Sequence, residues 1–156
     1  MIYVFDTSPI TTLFKNYYRS VFKTLWQNFD DLVEDGRILS TREVFRELED
    51  YAHDEMHAWI ADQKELFATP TPAEAAFVAR IFQERHFQQN IEGRKLLRGG
   101  KVADPFVAAR AAVAGATVVT VEKWKPNSAD LPNICQHFEI RSRSLEQFMQ
   151  DEGWSF

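Results

Sequence analysis

Asp6, Glu47, Asp104 and Glu122 are spread over most of a 156-residue chain, yet each stands at or near a strand end or a helix start. The first closes the run Ile2-Tyr3-Val4-Phe5, which reads as a short strand buried on both faces, as in a parallel sheet. A charge is costly inside such a sheet, so Asp6 is expected at the strand's carboxyl end. In open α/β sheets that edge is where ligands bind. Asp6 could instead start the next helix, although Ser8 before Pro9 makes the better cap and first helical residue. Glu122 ends the β-branched strand TVVTV, and Asp104 stands before Pro105 at a helix N-terminus. Glu47 lies near the start of the helix after the second strand and can point back over the sheet edge. Taken singly, Asp104 reads as an N-cap, Glu47 as a solvated helix residue beside Arg46, and Glu122 as a partner for Lys123. Glu43 fits the third position of a capping box and is assigned to structure.

Taken together the four acids describe a different object. Two carboxylates ~5 Å apart repel by roughly 3 kcal/mol at an effective dielectric near 20, so such a group needs a counter-charge. Hard divalent cations, Mg²⁺ or Mn²⁺, supply it and prefer oxygen ligands. A carboxylate-held cation can activate water and stabilise charge on a phosphate. The chemistry indicated is metal-dependent phosphodiester hydrolysis.

The elements that must position these acids follow from the pattern between them. Ser20 is expected to cap a helix to about Glu34, ended by Gly36. Arg37-Ile38-Leu39 reads as a second strand, and Ser40-Thr41-Arg42-Glu43 as the capping box of the next helix. A break near His53 leads to a helix from Glu55 to about Phe67. Thr71-Pro72-Ala73-Glu74 is a second box, opening a helix towards Gln89. After Asp104 comes ADPFVAARAAVAG, closed by Gly115, then TVVTV. NICQHFEI reads as part helix and part strand, and Ser144 to Gln147 as the cap of a last helix ending at Gly153. Strands alternating with helices imply an α/β fold with a central parallel sheet covered by helices on both faces. Residues 1–156 are read as one domain, with no repeat and no linker.

The 45% hydrophobic content, with 13 Phe, supplies a core for that domain. No segment approaches the roughly 18 apolar residues of a membrane span. The apolar start lacks the basic flank of a signal peptide, so the expected location is cytoplasmic. A single Cys135 excludes an intramolecular disulfide and a cysteine zinc site. Net charge is −5, unlike a protein with a broad basic face for nucleic acid, so any such contact needs a local patch. Arg94, Lys95, Arg98 and Lys101 are the candidate phosphate-steering patch, although a charge run is commonly a solvated loop and Leu96 and Leu97 within it suit a protein partner equally well.

Three other signals fall away. In HDEMH (His53 to His57) an Asp stands where the zinc-protease motif needs Glu. Gly99-Gly100-Lys101 lacks the leading Gly and the following Ser/Thr of a phosphate loop. A haloacid-dehalogenase-type phosphatase expects a second Asp two residues after the first, where Ser8 stands. Trp26, Phe29, Phe77 and Phe82 are assigned to the core.

YVFDTS, the REVFREL stretch with Glu47, ADPFVAA with Asp104 and VVTVE with Glu122 resemble, in order and spacing, the PIN-domain nucleases, in particular the VapC-like toxins of bacterial toxin–antitoxin pairs. The LPNICQHFEI tail resembles that of a PIN subfamily of poorly defined function. The resemblance implies a PIN-like domain, with Asp6, Glu47, Asp104 and Glu122 as its catalytic and metal-ligating acids. Thr7, Ser8 and Thr120 match the hydroxyl positions that support such a site. Two features depart from the pattern: the fourth acid is usually Asp and here is Glu122, and the middle helical region is long. The implied activity is that of a Mg²⁺- or Mn²⁺-dependent endoribonuclease, the toxin of such a pair. The alternatives are an inactive PIN-fold binding module and a DNA-directed nuclease. Expected partners are an RNA substrate and a cognate antitoxin, with a homodimer also open and no membrane.

Overall fold

Tyr3, Val4 and Phe5 form the first strand (β1, Tyr3–Phe5), and all three side chains are fully buried. Successive side chains of a strand point to opposite faces, so both faces of β1 are covered. The computed structural model describes residues 1–89 and 102–156. Within them β1 is joined by β2 (Ile38–Thr41), β3 (Phe67–Ala68), β4 (Thr117–Val119) and β5 (Ser142–Arg143) in one sheet of order β3-β2-β1-β4-β5. Every pairing is parallel, with Val4 opposite Leu39 on one side and Val118 on the other.

Eight α-helices flank this sheet among the described residues. They are α1 (Thr7–Asn16), α2 (Lys23–Glu34), α3 (Arg42–Glu49), α4 (Asp54–Asp62), α5 (Pro72–Gln83), α6 (Asp104–Ala114), α7 (Leu131–His137) and α8 (Leu145–Asp151). The chain lays down β1, β2 and β3 outward to one side, then crosses back to place β4 on the other side of β1. The strand order therefore reverses between β1 and β4, the position at which α/β sheets open a crevice beyond their carboxyl ends.

Tyr3 and Phe5 share one face of β1, and Phe148 of α8 packs edge-on against both rings at 4.7 and 5.0 Å. Phe29 of α2 meets Phe5 at 5.5 Å. The Tyr3 hydroxyl donates to Glu152 Oε2 at 2.6 Å and the Arg37 guanidinium donates to the same oxygen at 2.7 Å, tying the end of the chain to its start. Burial and the Glu152 carboxylate push the Tyr3 phenol well above its ordinary pKa, so it remains a donor. Gly115 takes φ +64° at the C-cap of α6, the left-handed conformation that glycine adopts without a Cβ penalty.

The structure corrects several sequence expectations. Helix α1 begins at Thr7, with Asp6 in the N-cap position, so Ser8 and Pro9 lie inside its first turn. Helix α2 starts at Lys23, three residues after Ser20. The β2 strand runs on to Thr41, whose hydroxyl, not that of Ser40, accepts the Val44 N–H and caps α3. Ser40 is in the sheet, donating its hydroxyl to the Phe5 carbonyl at 2.8 Å. Helix α4 stops at Asp62, and Phe67 belongs to β3. Helix α5 ends at Gln83, before a single 3-10 turn at Arg85–Gln88. The strand expected within NICQHFEI lies further on, at Ser142–Arg143. The capping boxes at Thr71 and Ser144 are present where the sequence pattern places them. Arg94, Lys95, Arg98 and Lys101 lie outside the described residues.

Candidate metal centre

Asp6 leaves β1 with its backbone N–H donating to the Val119 carbonyl at 3.0 Å, so the strand pairing with β4 fixes where its carboxylate emerges. Asp104 is delivered from the first turn of α6, and Glu122 from the loop three residues beyond β4. One carboxylate oxygen from each of Asp6, Asp104 and Glu122 lies within 4.8 Å of the others. With Thr7, Ser8, Glu47 and Tyr51 they line a crevice of about 50 Å³ at the sheet's carboxyl edge. The crevice sits where the strand order reverses.

Asp104 is the acid with the strongest structural alternative, and its local geometry answers that alternative. Ala103 occupies the N-cap position of α6, and Asp104 is its first helical residue. At 2% exposure it is buried, not solvated as a capping carboxylate normally is. Burying a carboxylate there costs desolvation.

The three hydroxyls all make hydrogen bonds at this edge. Thr120 Oγ1 donates to Asp6 Oδ2 at 2.9 Å and accepts the Glu122 N–H at 3.2 Å, linking two of the acids through one side chain. Thr7 Oγ1 donates to Glu47 Oε1 at 2.9 Å, and Ser8 Oγ accepts the Val121 N–H at 3.2 Å. Ser8 thereby holds the loop that carries Glu122 against the start of α1.

Glu47 lines the crevice but is not among the three acids whose oxygens converge. Its second oxygen, Oε2, accepts the buried Ala103 N–H at 3.1 Å, so it grips the start of α6 beside Asp104 while its first holds Thr7. This arrangement separates hydrogen bonding from charge. Gln can accept from Ala103 and donate to Thr7, whereas Ala leaves the Ala103 N–H buried without an acceptor; neither carries a charge. Glu47→Ala is expected to be less stable than Glu47→Gln by about 1–3 kcal/mol in urea unfolding. Equal stabilities would show that these two bonds do not hold α6.

Burial raises the Asp6 carboxyl well above the ordinary carboxylate range, and the charges of Asp104 and Glu122 push it the same way. The Thr7 N–H and the Thr120 hydroxyl oppose this without cancelling it. The same field reaches Cys135, whose buried thiol is pushed up by desolvation and then by Asp104, Asp6 and Glu122, and so stays protonated. The three ligand atoms that converge are all carboxylate oxygens. Ligands around one Mg²⁺ at ~2.1 Å are separated by ~3.0 to 4.2 Å, so oxygens within 4.8 Å need draw in only slightly. These residues fit a hard divalent cation, which would also offset the mutual repulsion of the acids.

The histidines of the HDEMH stretch serve their own helix. His53 Nδ1 accepts the Met56 N–H as the cap of α4, and His57 Nε2 donates to the Leu48 carbonyl at 3.2 Å. Tyr51, which lines the crevice from just beyond α3, is the site residue that sequence reasoning misses. No periodicity or motif marks it, because its place follows from where α3 ends.

No curated protein matches the chain. Among solved structures, a chain of VapBC2 from Rickettsia felis, crystallised bound to a DNA fragment from its promoter, superposes with a TM-score of 0.50 at 13% identity, over 92% of this chain and 98% of that one. The likeness is one of fold. The model of a domain of unknown function, DUF4411, matches residues 3–156, and the chain belongs to that family.

Proposed function

We infer that this protein is a metal-dependent endoribonuclease of PIN type, acting as one domain over residues 1–156, and the toxin of a toxin–antitoxin pair in the cytoplasm. The observation that carries the reading is the convergence of Asp6, Asp104 and Glu122, three acids from distant parts of the chain, at the switch point of a parallel sheet. The fold likeness to a chain of VapBC2 supports the toxin role and, with it, an antitoxin as the protein partner.

In this reading Asp6 and Asp104 are the primary ligands of Mg²⁺ or Mn²⁺, with Glu122 completing the set. A bound cation supplies Lewis acidity, lowering the pKa of a water and neutralising charge on the attacked phosphate. The chain does the rest. Thr120 fixes the orientation of Asp6 through its 2.9 Å bond, and Ser8 steadies the loop bearing Glu122. Glu47 positions Asp104 by holding the start of α6 and meets the ion through water. Asp6 and Asp104 are both buried, which strengthens each of these interactions.

Incubation of the purified chain with single-stranded RNA in Mn²⁺, and in parallel with EDTA, tests the reading. Cleavage in Mn²⁺ that EDTA abolishes is the expected result. Cleavage that survives chelation, or a chain that binds Mn²⁺ yet cleaves neither RNA nor DNA, would overturn it. The second outcome would leave an inactive PIN-fold binding module.

A further inference from the structure

A cleft of ≈600 Å³ adjoins the acid crevice on the β4–β5 side, and Glu122 lines both. Lys123 and Trp124 stand in its wall next to Glu122, and Gln136 of α7 and Gln147 of α8 also line it. Trp124 is 51% exposed, and among the described residues no aromatic ring packs against it. An indole left half in water and unstacked, beside a candidate catalytic centre, is a ready platform for a ligand.

On the other side of the acids stands a second ring. Tyr51 lines the acid crevice itself, is 39% exposed, and has the Lys15 Nζ 5.0 Å from its ring centroid. In sheet order Tyr51 comes from the β2 side, Asp6 from β1, and Trp124 from beyond β4. The acids therefore lie between two exposed rings, each with a lysine at hand. A ring and an ammonium on either side of a phosphate-attacking centre match the parts of a single polynucleotide strand: flat bases to stack and phosphates to neutralise.

We propose that Trp124 and Tyr51 are the stacking surfaces for the two nucleotides flanking the scissile phosphate, and that the Trp124 cleft receives the base on its side. The inference rests on the nuclease reading and names its substrate class as single-stranded. In a duplex the base faces are already covered by their neighbours, so neither ring could be used. The cleft lining favours a base over an apolar peptide. Gln147 uses its side-chain carbonyl to accept the Ser144 N–H at 2.9 Å, which leaves its amide NH₂ to donate, and Gln136 is exposed. Such amide groups suit the hydrogen-bonding edges of an unpaired base. A chain of net charge −5 has no need of a broad basic face if stacking supplies much of the affinity.

The test uses a short dye-labelled single-stranded RNA and its duplex, with binding read by fluorescence anisotropy in an Asp104→Asn background that does not cleave. Trp124→Ala is expected to weaken single-strand binding by about 5- to 100-fold, and Tyr51→Ala by a similar factor, while Trp124→Phe stays near the parent. In the cleaving background the Ala variants should raise KM with kcat little changed, and their thermal midpoints in EDTA should match the parent. If the parent chain neither binds nor cleaves a single strand, the inference and the nuclease reading fall together. If it cleaves but both Ala variants keep its KM, or duplex binds as tightly as single strand, the nuclease stands and the stacking path falls. A protein occupant of the cleft predicts unchanged KM and would likewise overturn it.

Discussion

Asp104→Asn should abolish cleavage, by about 10³-fold or more, while leaving the metal-free protein as stable as the parent or more so. The two effects have separate causes. Asn keeps the shape of the side chain but cannot bring a full negative charge to a cation, so the group that fixes the ion in line with the phosphate is lost. In the absence of metal, the same change removes repulsion between oxygens that lie within 4.8 Å. At an effective dielectric near 20 that repulsion is about 3 kcal/mol for two full charges, and less where Asp6 already holds a proton. Against it stands the favourable placement of a carboxylate in the first turn of α6, worth about 0.3–1 kcal/mol. Urea unfolding in EDTA should therefore find the variant no less stable than the parent. No cap is lost, because Ala103 holds the N-cap position. Full activity in the Asn variant would remove Asp104 from the chemistry. A clear loss of stability would show that the carboxylate is held by attractions stronger than the repulsion around it.

The second large effect is metal-linked stability and its pH dependence. The Asp6 carboxyl is raised in the folded chain, first by burial and then by Asp104 and Glu122. Its protonated form is the one that the fold favours. The stability it contributes is therefore fully present below the unfolded carboxylate pKa near 4, and is lost as pH rises through the higher folded value. In EDTA, thermal midpoints should fall as pH rises through this window, and Asp6→Asn should remove that slope. A cation replaces the proton as counter-charge, so Mn²⁺ should restore the midpoint at neutral pH. At 100 times its Kd an ion that binds only the folded state adds about 2.7 kcal/mol, roughly 5–10 °C for a chain of this size. Parallel pH curves for parent and Asp6→Asn would show that Asp6 is not destabilised by its neighbours. A midpoint that Mn²⁺ does not move would remove the ion from this site.

What the sequence reveals and hides here follows from the range of the interactions concerned. Local signals are legible. The apolar run into Asp6, the boxes at Thr71 and Ser144 and the glycine after α6 act within a few residues, and each appears where its pattern places it. The two edge strands are harder for a physical reason. At two residues each, β3 and β5 are too short to show alternation. Ser142 and Arg143 carry no apolar side chain at all, so β5 is defined only by its pairing with β4. The role of Asp104 turns on a single position, because Ala103 adopts helical backbone angles without being part of α6. Glu47 shows the deepest limit. Its place in the crevice can be expected, but its grip on the Ala103 N–H joins residues 56 apart, and no local pattern encodes that.

The central position of β1 also governs the order in which the molecule can be built during synthesis. The middle strand of the sheet, β1, comes before the other four in the chain, and one of its neighbours, β4, is not translated until more than a hundred residues later. The Thr120–Asp6 bond spans 114 positions and the Tyr3–Glu152 bond 149. A nascent chain can pair β1 with β2, but its acids remain apart until Glu122 has emerged, and the ring of Phe148 that covers Tyr3 and Phe5 arrives later still. Such long-range closure makes folding slow, because loop entropy must be overcome before the contacts that reward it can form. A ribosome-bound fragment that ends before Glu122 therefore lacks the complete set of acids, so whatever chemistry the site performs begins only when nearly the whole chain has been made.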